Sequence, residues 1–225
     1  MLEIDIITLF PEMALAPLSE SILKRAQESE LVKINAHQLR DWAEGNYKKV
    51  DDYPYGGGVG MVLKPEPIFK AIKELRKDNS LIILMTPQGK QYKQADAQRL
   101  STSNRHLIFV CGHYEGVDHR VVETLIEEEL SIGDYILTNG AIAASIVIDS
   151  IVRLIPGALG DDSSSVEESF SDPNLLEAPT YTKPAEYNDL TVPDILLSGH
   201  HGKIAEWRAE RAKERTKQNR PDLLS

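Results

Sequence analysis

His106 to Gly140 reads HLIFVCGHYEGVDHRVVETLIEEELSIGDYILTNG, and this stretch decides the fold. Leu107 to Cys111 is a short apolar run of the kind that forms a buried strand. It stops at Gly112, and Gly112-His113-Tyr114-Glu115-Gly116 follows as a turn. Asp118 to Leu130 reads as an amphipathic helix, with Val121, Val122, Leu125 and Ile126 on one face. A second loop, Ser131-Ile132-Gly133-Asp134, leads into an expected strand, Tyr135-Ile136-Leu137, which ends at Thr138-Asn139-Gly140. Two glycine-bearing loops at strand ends, one helix apart, are where an open α/β sheet holds a small ligand. Glycine lets the backbone approach a ligand and offers N–H and C=O groups with no side chain in the way. Neither loop carries a dinucleotide or P-loop fingerprint, so a dinucleotide or triphosphate is not favoured.

Working outward, Leu2 to Phe10 (LEIDIITLF) alternates and then runs apolar, a first strand that Pro11 breaks. Ser19 to Ser29 reads as a helix that a serine could cap. Leu31 to Leu39 alternates as a second strand, and the polar stretch Arg40 to Val50 is irregular. Lys64 to Lys77 has helical periodicity through Ile68, Ile72 and Leu75, with Pro65 and Pro67 near its start. Leu81 to Met85 is a strand, Thr86-Pro87-Gln88-Gly89 a turn, and Gln94 to Leu100 a short helix. Ala141 to Ile155 is apolar nearly all round, which calls for burial or a subunit interface.

The 225 residues fit one large domain with a small appendage, and 41% hydrophobic content is enough for a sizeable core. The single cysteine, Cys111, ends an apolar run and reads as a buried thiol; no intrachain disulfide is possible. No apolar run is long enough to span a bilayer, and Met1-Leu2-Glu3-Ile4-Asp5 lacks the basic start of a secretion signal, so a cytoplasmic protein is expected. A net charge of −10 argues against a general nucleic-acid coat protein. The charge is unevenly placed, however. Gly160 to Glu177 holds six acidic residues and no basic one, whereas Lys203 to Arg220 holds seven basic residues against Glu206, Glu210 and Glu214. Such polarity allows a local RNA footprint on an otherwise repulsive body.

Gly160 to Ser171 (GDDSSSVEESFS) is Ser- and acid-rich and reads as a linker. It separates an expected domain 1–159 from a small domain 172–225, in which His201 to Gln218 forms a charged helix. The Ser198-Gly199 turn before that helix would expose amide N–H groups, a ready phosphate site. Trp207 reads as core rather than as a stacking platform, and His200-His201 as a polar loop pair rather than a metal site. For Tyr53 to Met61 (YPYGGGVGM) two readings stand: a plain surface turn, or a backbone surface that receives a flat base.

These motifs carry a resemblance. Asp51–Met61 (DDYPYGGGVGM), Lys64–Phe69 (KPEPIF), Pro87–Lys90 (PQGK), Ser131–Leu137 (SIGDYIL), Val152–Gly157 (VRLIPG) and Leu197–Gly199 (LSG) stand in order and at family spacing. Together with the central stretch they resemble the bacterial tRNA (guanine-N1)-methyltransferases of the TrmD type, in the SPOUT class. The resemblance implies a parallel-sheet α/β fold with a C-terminal trefoil knot and a small, mainly helical C-terminal domain that holds the tRNA anticodon arm. It also implies a homodimer with the active site at the subunit interface. The implied reaction moves a methyl group from S-adenosyl-L-methionine to N1 of the guanosine at tRNA position 37, with activity helped by Mg²⁺. Carried over by motif, the cofactor site comprises Thr86, Pro87, Gln88, Gly112, Tyr114, Glu115, Gly116, Ile132, Gly133, Asp134, Tyr135, Ile136, Leu137 and Gly140. The RNA-facing positions are Tyr55, Gly57, Gly58, Ser198 and Gly199.

N1 of guanine carries a proton at neutral pH, so methylation needs a base, a contribution worth ~10²–10⁴-fold. The family's arginine, which stabilises the charge that develops, corresponds to Arg153. Its base is an aspartate in a D-S-F motif, and here Glu168 stands in that place, followed by Ser169 and Phe170. Two further departures are His113, where arginine is usual, and Asn139-Gly140-Ala141, where G-G-E is usual. They leave a second reading open, a catalytically altered or inactive SPOUT-type RNA-binding protein.

Overall fold

The computed structural model describes residues 1–160 and 168–224. The chain divides into two compact units, Met1–Gly160 and Asp161–Ser225. In the first, strands and helices run β1 (Leu2–Thr8), α1 (Pro11–Leu15), α2 (Ser21–Glu28), β2 (Val32–Gln38), β3 (Asp51–Asp52), β4 (Val62–Leu63) and α3 (Pro65–Leu75). They continue with β5 (Ser80–Gln91), α4 (Gln94–Ser101), β6 (His106–Cys111), α5 (His119–Leu125), β7 (Glu128–Ser131) and α6 (Gly140–Val152).

Five of these strands form one parallel sheet in the order β2-β1-β6-β5-β7. Parallel pairing sends each crossover over a face of the sheet, so both faces are covered and the central strands are apolar on both sides. Ile4, Ile6, Ile83, Leu107 and Phe109 pack with residues of α1, α2 and α6. Their neighbours in sequence, Ile7, Ile82, Leu84, Ile108 and Val110, pack with residues of α3 and α5. The chain direction also decides where a ligand can lie. All strand carboxyl ends share one edge, so the loops after β6 and β7 emerge along it, on either side of β5.

One polar network interrupts the second face. Asp5 accepts from Asn35 Nδ2 at 3.0 Å, from His37 Nε2 at 2.7 Å and from His106 Nε2 at 2.7 Å. His106 Nδ1 lies 2.8 Å from Ser80 Oγ, which also accepts the Lys77 N–H. Asp5, Ser80 and His106 are all buried. Burial pushes the Asp5 pKa up, but hydrogen bonds from His106, His37 and Asn35 outweigh it, and the carboxyl stays well below its ordinary range.

Five local expectations need correction. The amphipathic helix stops at Leu125, and Glu128–Ser131 is the edge strand β7. Glu128 can sit there because Arg99 holds its carboxylate through two bonds of 2.9 and 2.7 Å. Tyr135-Ile136-Leu137 is not a strand but an exposed part of the loop after β7. Thr86–Gly89 lies within β5, where Met85 and Lys90 both pair with Leu130, so the four residues form an excursion along one strand rather than a terminating turn. Finally, Pro11 does not only end a strand: it opens α1 at the first helical position, where its missing N–H costs nothing. The second helix begins after Glu20 with no side-chain cap.

The second unit contains a small hairpin, β8 (Glu186–Tyr187) with β9 (Leu190–Thr191), then α7 (Asp194–Leu197) and α8 (His201–Asn219). Residues 161–167 of the expected linker lie outside the described residues. Among the described residues, no helix is long and apolar enough to cross a membrane.

Candidate active site

The loop after β6 is stitched on two sides. Toward α6, the Gly140 N–H donates to the Gly112 carbonyl at 2.8 Å, and His113 and Asn139 form an isolated antiparallel bridge. The Thr138 carbonyl accepts from His113 Nδ1 at 2.9 Å, so that ring nitrogen carries the proton. Toward the glycine-rich segment, the Glu115 N–H donates to Met61 O, Leu63 N–H to Gly116 O, and Asp118 N–H to Leu63 O, at 2.9 to 3.0 Å. A Cβ on Gly140 would stand 3.0 Å from Cys111 Cα and from Gly112 N, so this close approach of two main chains favours glycine, and a side chain there would push them apart by a few tenths of an ångström. At Gly112 a Cβ would instead enter the gap beside Gly116 Cα and the Met85 carbonyl, each 3.9 Å away. The gap is a small open cradle lined by main chain.

The other site loops adjoin this cradle through the sheet. Met85, the last residue before the β5 excursion, pairs with Cys111, the last residue before Gly112. Thr86 is half-buried and its Oγ1 accepts the Gln88 N–H at 3.3 Å, while Pro87 and Gln88 are exposed. After β7, Ser131 Oγ accepts the Gly133 N–H at 3.2 Å, and the Tyr135 hydroxyl donates to the Ile132 carbonyl at 3.3 Å. The Tyr135 ring folds over Gly133, where a Cβ would meet it at 2.5 Å. Asp134, Tyr135, Ile136 and Leu137 are exposed, Ile132 is half-buried, and Gly133 is buried. Thus Gly112–Gly116 and Thr138–Gly140 are joined directly, with Thr86–Gly89 and Ile132–Leu137 flanking them along the carboxyl edge.

Tyr55, Gly57 and Gly58 lie on the loop between β3 and β4, and the Tyr55 side chain is fully exposed. Gly57 and Gly58 adopt φ of +79° and +126°, which favours glycine, and nothing stands near either one. Gly60 differs: a Cβ there would meet the Glu115 side chain at 2.4 Å, so the base of this loop is shaped around Glu115. Arg153 follows α6 as its C-cap residue. In the second unit, Glu168 begins a turn whose Ser171 N–H donates to the Glu168 carbonyl at 3.1 Å. Ser198 Oγ accepts the His200 N–H at 3.2 Å, and Gly199 has φ +71° ahead of α8. Trp207 is half-buried, with its ring 6.5 Å from that of Tyr181.

Sequence reasoning quoted Gly60, Met61 and Asn139 within motifs but gave none of them a role in the site. The Asn139 side chain accepts the Ala141 N–H at 2.9 Å and caps α6, a role that an asparagine just before an apolar helical run does signal. Met61 acts through its carbonyl, which no side-chain pattern reveals.

Residues 2–225 match the family model described as tRNA (Guanine-1)-methyltransferase TrmD. The chain belongs to the TrmD family. Curated relatives named tRNA (guanine-N(1)-)-methyltransferase agree along nearly the whole chain. The protein of Staphylococcus haemolyticus is 53% identical over 99% of this chain and 91% of its own length. That of Dictyoglomus turgidum is 53% identical over 100% and 90%, and that of Brevibacillus brevis 54% identical over 99% and 91%. The three departures from the TrmD motifs fall at distinct places. His113 makes the Thr138 stitch, Ala141 lies in the first turn of α6, and Glu168 lies in the second unit. Among the described residues, no three His, Cys, Asp or Glu side chains are grouped to hold a metal ion.

Proposed function

We propose that this protein transfers a methyl group from S-adenosyl-L-methionine to N1 of the guanosine at tRNA position 37, next to the anticodon. The observation that carries the reading is the cradle of Gly112, Gly116 and Met85, stitched to Gly140 and flanked by Thr86–Gln88 and Ile132–Leu137. Main-chain N–H and C=O groups at a strand-end edge suit a nucleoside with an amino-acid tail, and half-buried Ile132 supplies an apolar wall. When bound, the cofactor supplies the electrophilic methyl. The chain's own residues then have two tasks: orienting the purine and managing its proton. The open loop at Tyr55, Gly57 and Gly58 offers a flat surface for the base. Glu168 takes the N1 proton, and Arg153 balances the negative charge left across N1 and O6. Ser198 and Gly199, ahead of the basic face of α8, meet a phosphate of the anticodon arm.

We also propose the finer features that go with this reading. They are a trefoil knot around the cofactor loops, a tRNA-holding C-terminal domain at 172–225, a cytoplasmic location, assistance by Mg²⁺, and a homodimer with the active site at its interface. The dimer is supported by apolar side chains left exposed beside the site. Ile142 and Ile146 on α6, Met13 on α1, Phe10, and Ile136 form an apolar fringe that a second copy would cover.

The test combines binding and transfer. Calorimetry of the pure protein should show uptake of S-adenosyl-L-methionine. Glu168→Gln should retain that uptake and lose ~10²–10⁴-fold in transfer to unmodified tRNA, the share of a general base. Wild-type transfer by Glu168→Gln would remove Glu168 from the chemistry, and absence of uptake would remove the site.

A further inference from the structure

Thr216 is the one buried residue of α8. Its Oγ1 donates to the Ala212 carbonyl one turn back at 2.7 Å, an ordinary contact for a helical threonine. The second bond is not ordinary: the same oxygen accepts the main-chain N–H of Leu176 at 2.9 Å, forty positions away. Leu176 closes the segment that begins at Glu168. Within it, Phe170 N–H donates to Leu175 O at 3.0 Å, and just beyond it Glu177 N–H donates back to Ser169 Oγ at 3.1 Å. Phe170 takes φ +70°, a conformation a phenylalanine holds only when its surroundings impose it. Its ring lies 6.0 Å from the Arg220 guanidinium at the end of α8, and Arg220 is held in turn by Asp222 through bonds of 2.9 and 2.7 Å. The turn bearing Glu168 is therefore pinned to α8 at two points a turn apart, a buried hydroxyl and an arginine.

We infer that Thr216 is a positioning residue for methyl transfer: by docking the Glu168–Leu176 segment on α8, it sets where the Glu168 carboxylate stands. The inference rests on the reading of Glu168 as the base. It has a consequence for the substrate. Lys203, Arg208, Lys213, Arg215 and Lys217 are exposed on α8, so the helix proposed to meet the RNA backbone is also the one on which the turn bearing Glu168 docks. Binding and proton removal are then geometrically linked. A base must come within hydrogen-bond reach of its proton, and a remote change that misplaces it by about 1 Å costs ~10²-fold.

The experiment uses the full chain, a tRNA transcript and single-turnover methyl transfer. Thr216→Val keeps the volume and burial and leaves the Leu176 N–H without its acceptor. It should lower the rate by ~10²-fold while cofactor uptake by calorimetry is unchanged. Thr216→Ser, which keeps the oxygen, should restore most of the rate. In a Glu168→Gln background, Thr216→Val should cost nothing further, because a residue acting only through Glu168 has nothing left to position. A full additional loss in that background, a serine variant no better than valine, a wild-type rate in Thr216→Val, or a parallel loss of cofactor uptake would each overturn the inference. A fully active Glu168→Gln would instead overturn the assignment of the base, and the two failures are thereby told apart.

Discussion

Gly89→Ala should damage both the stability of the first unit and its cofactor site. Met85 and Lys90 pair with the same residue, Leu130, so the chain between them runs over the β7 backbone. A Cβ on Gly89 would lie 2.4 Å from Glu129 C, 2.5 Å from Leu130 N and 2.6 Å from Glu129 O. Non-bonded carbons rest at about 3.5–4.0 Å, so one methyl group demands an opening of roughly 1 Å. All three atoms are main chain in a hydrogen-bonded strand, and none can rotate aside. Overpacking of this kind costs ~1–3 kcal/mol, and a backbone obstacle puts Gly89→Ala at the upper end. For a protein of this size each kcal/mol lowers Tm by about 2–4 °C, so a fall of about 6–12 °C is expected. Thr86–Gln88 ride on the same excursion, so uptake of S-adenosyl-L-methionine should weaken as well. Gly57→Ala is the control: its φ of +79° adds backbone strain, but no atom stands within 4 Å. Thermal melting by circular dichroism and calorimetry read the two effects. A Gly89→Ala protein that melts within about 2 °C of wild type and binds cofactor normally would refute the close crossing of β5 over β7.

Three further outcomes follow from the geometry. Asp5→Ala strands the buried His106 Nε2–H, so urea unfolding at neutral pH should show a loss of ~1–3 kcal/mol. Because the folded-state pKa of Asp5 is depressed, its contribution is complete above the ordinary carboxylate pKa near ~4 and declines as pH falls below it. The gap between wild type and Asp5→Ala should therefore narrow in acid; a gap that widens there would contradict the network. Gly60→Ala and Gly58→Ala both strain a positive φ, but only the former displaces Glu115, so cofactor affinity should fall more in Gly60→Ala. Equal affinities would take Glu115 out of the pocket. Cys111 is buried and its thiol pKa is pushed up by desolvation, so it should resist alkylation until the protein unfolds; rapid labelling of the native protein would deny that burial.

Local pattern sufficed where burial is continuous along the chain. The apolar runs at Leu81–Met85 and Leu107–Cys111, and the mostly apolar Ile4–Ile7, read as strands because both faces of a parallel sheet are covered. The edge escaped that logic. Glu128 and Glu129 look helical in sequence and are tolerated in β7 because one side of an edge strand meets solvent and Arg99. Tyr135–Leu137 misled in the opposite sense, as apolar residues that stay exposed. In the site, glycine placement marked the loops, and the motifs marked their chemistry. The contacts that set their geometry join residues far apart in sequence: His113 to Thr138, Met61 to Glu115, Leu176 to Thr216. Asp5 illustrates the same limit. Within LEIDI it has the spacing of a solvent-facing polar residue, yet it is buried against a histidine 101 positions away. Periodicity reports which face a residue is on, not what waits there.

The most direct measurement is nucleoside analysis of an unmodified tRNA transcript after incubation with the protein and methyl-labelled S-adenosyl-L-methionine. Label should appear as 1-methylguanosine, and should vanish when the guanosine 3′ of the anticodon is replaced by adenosine. Label on another nucleoside, label that survives the replacement, or none at all with a folded protein would contradict methyl transfer to that guanosine.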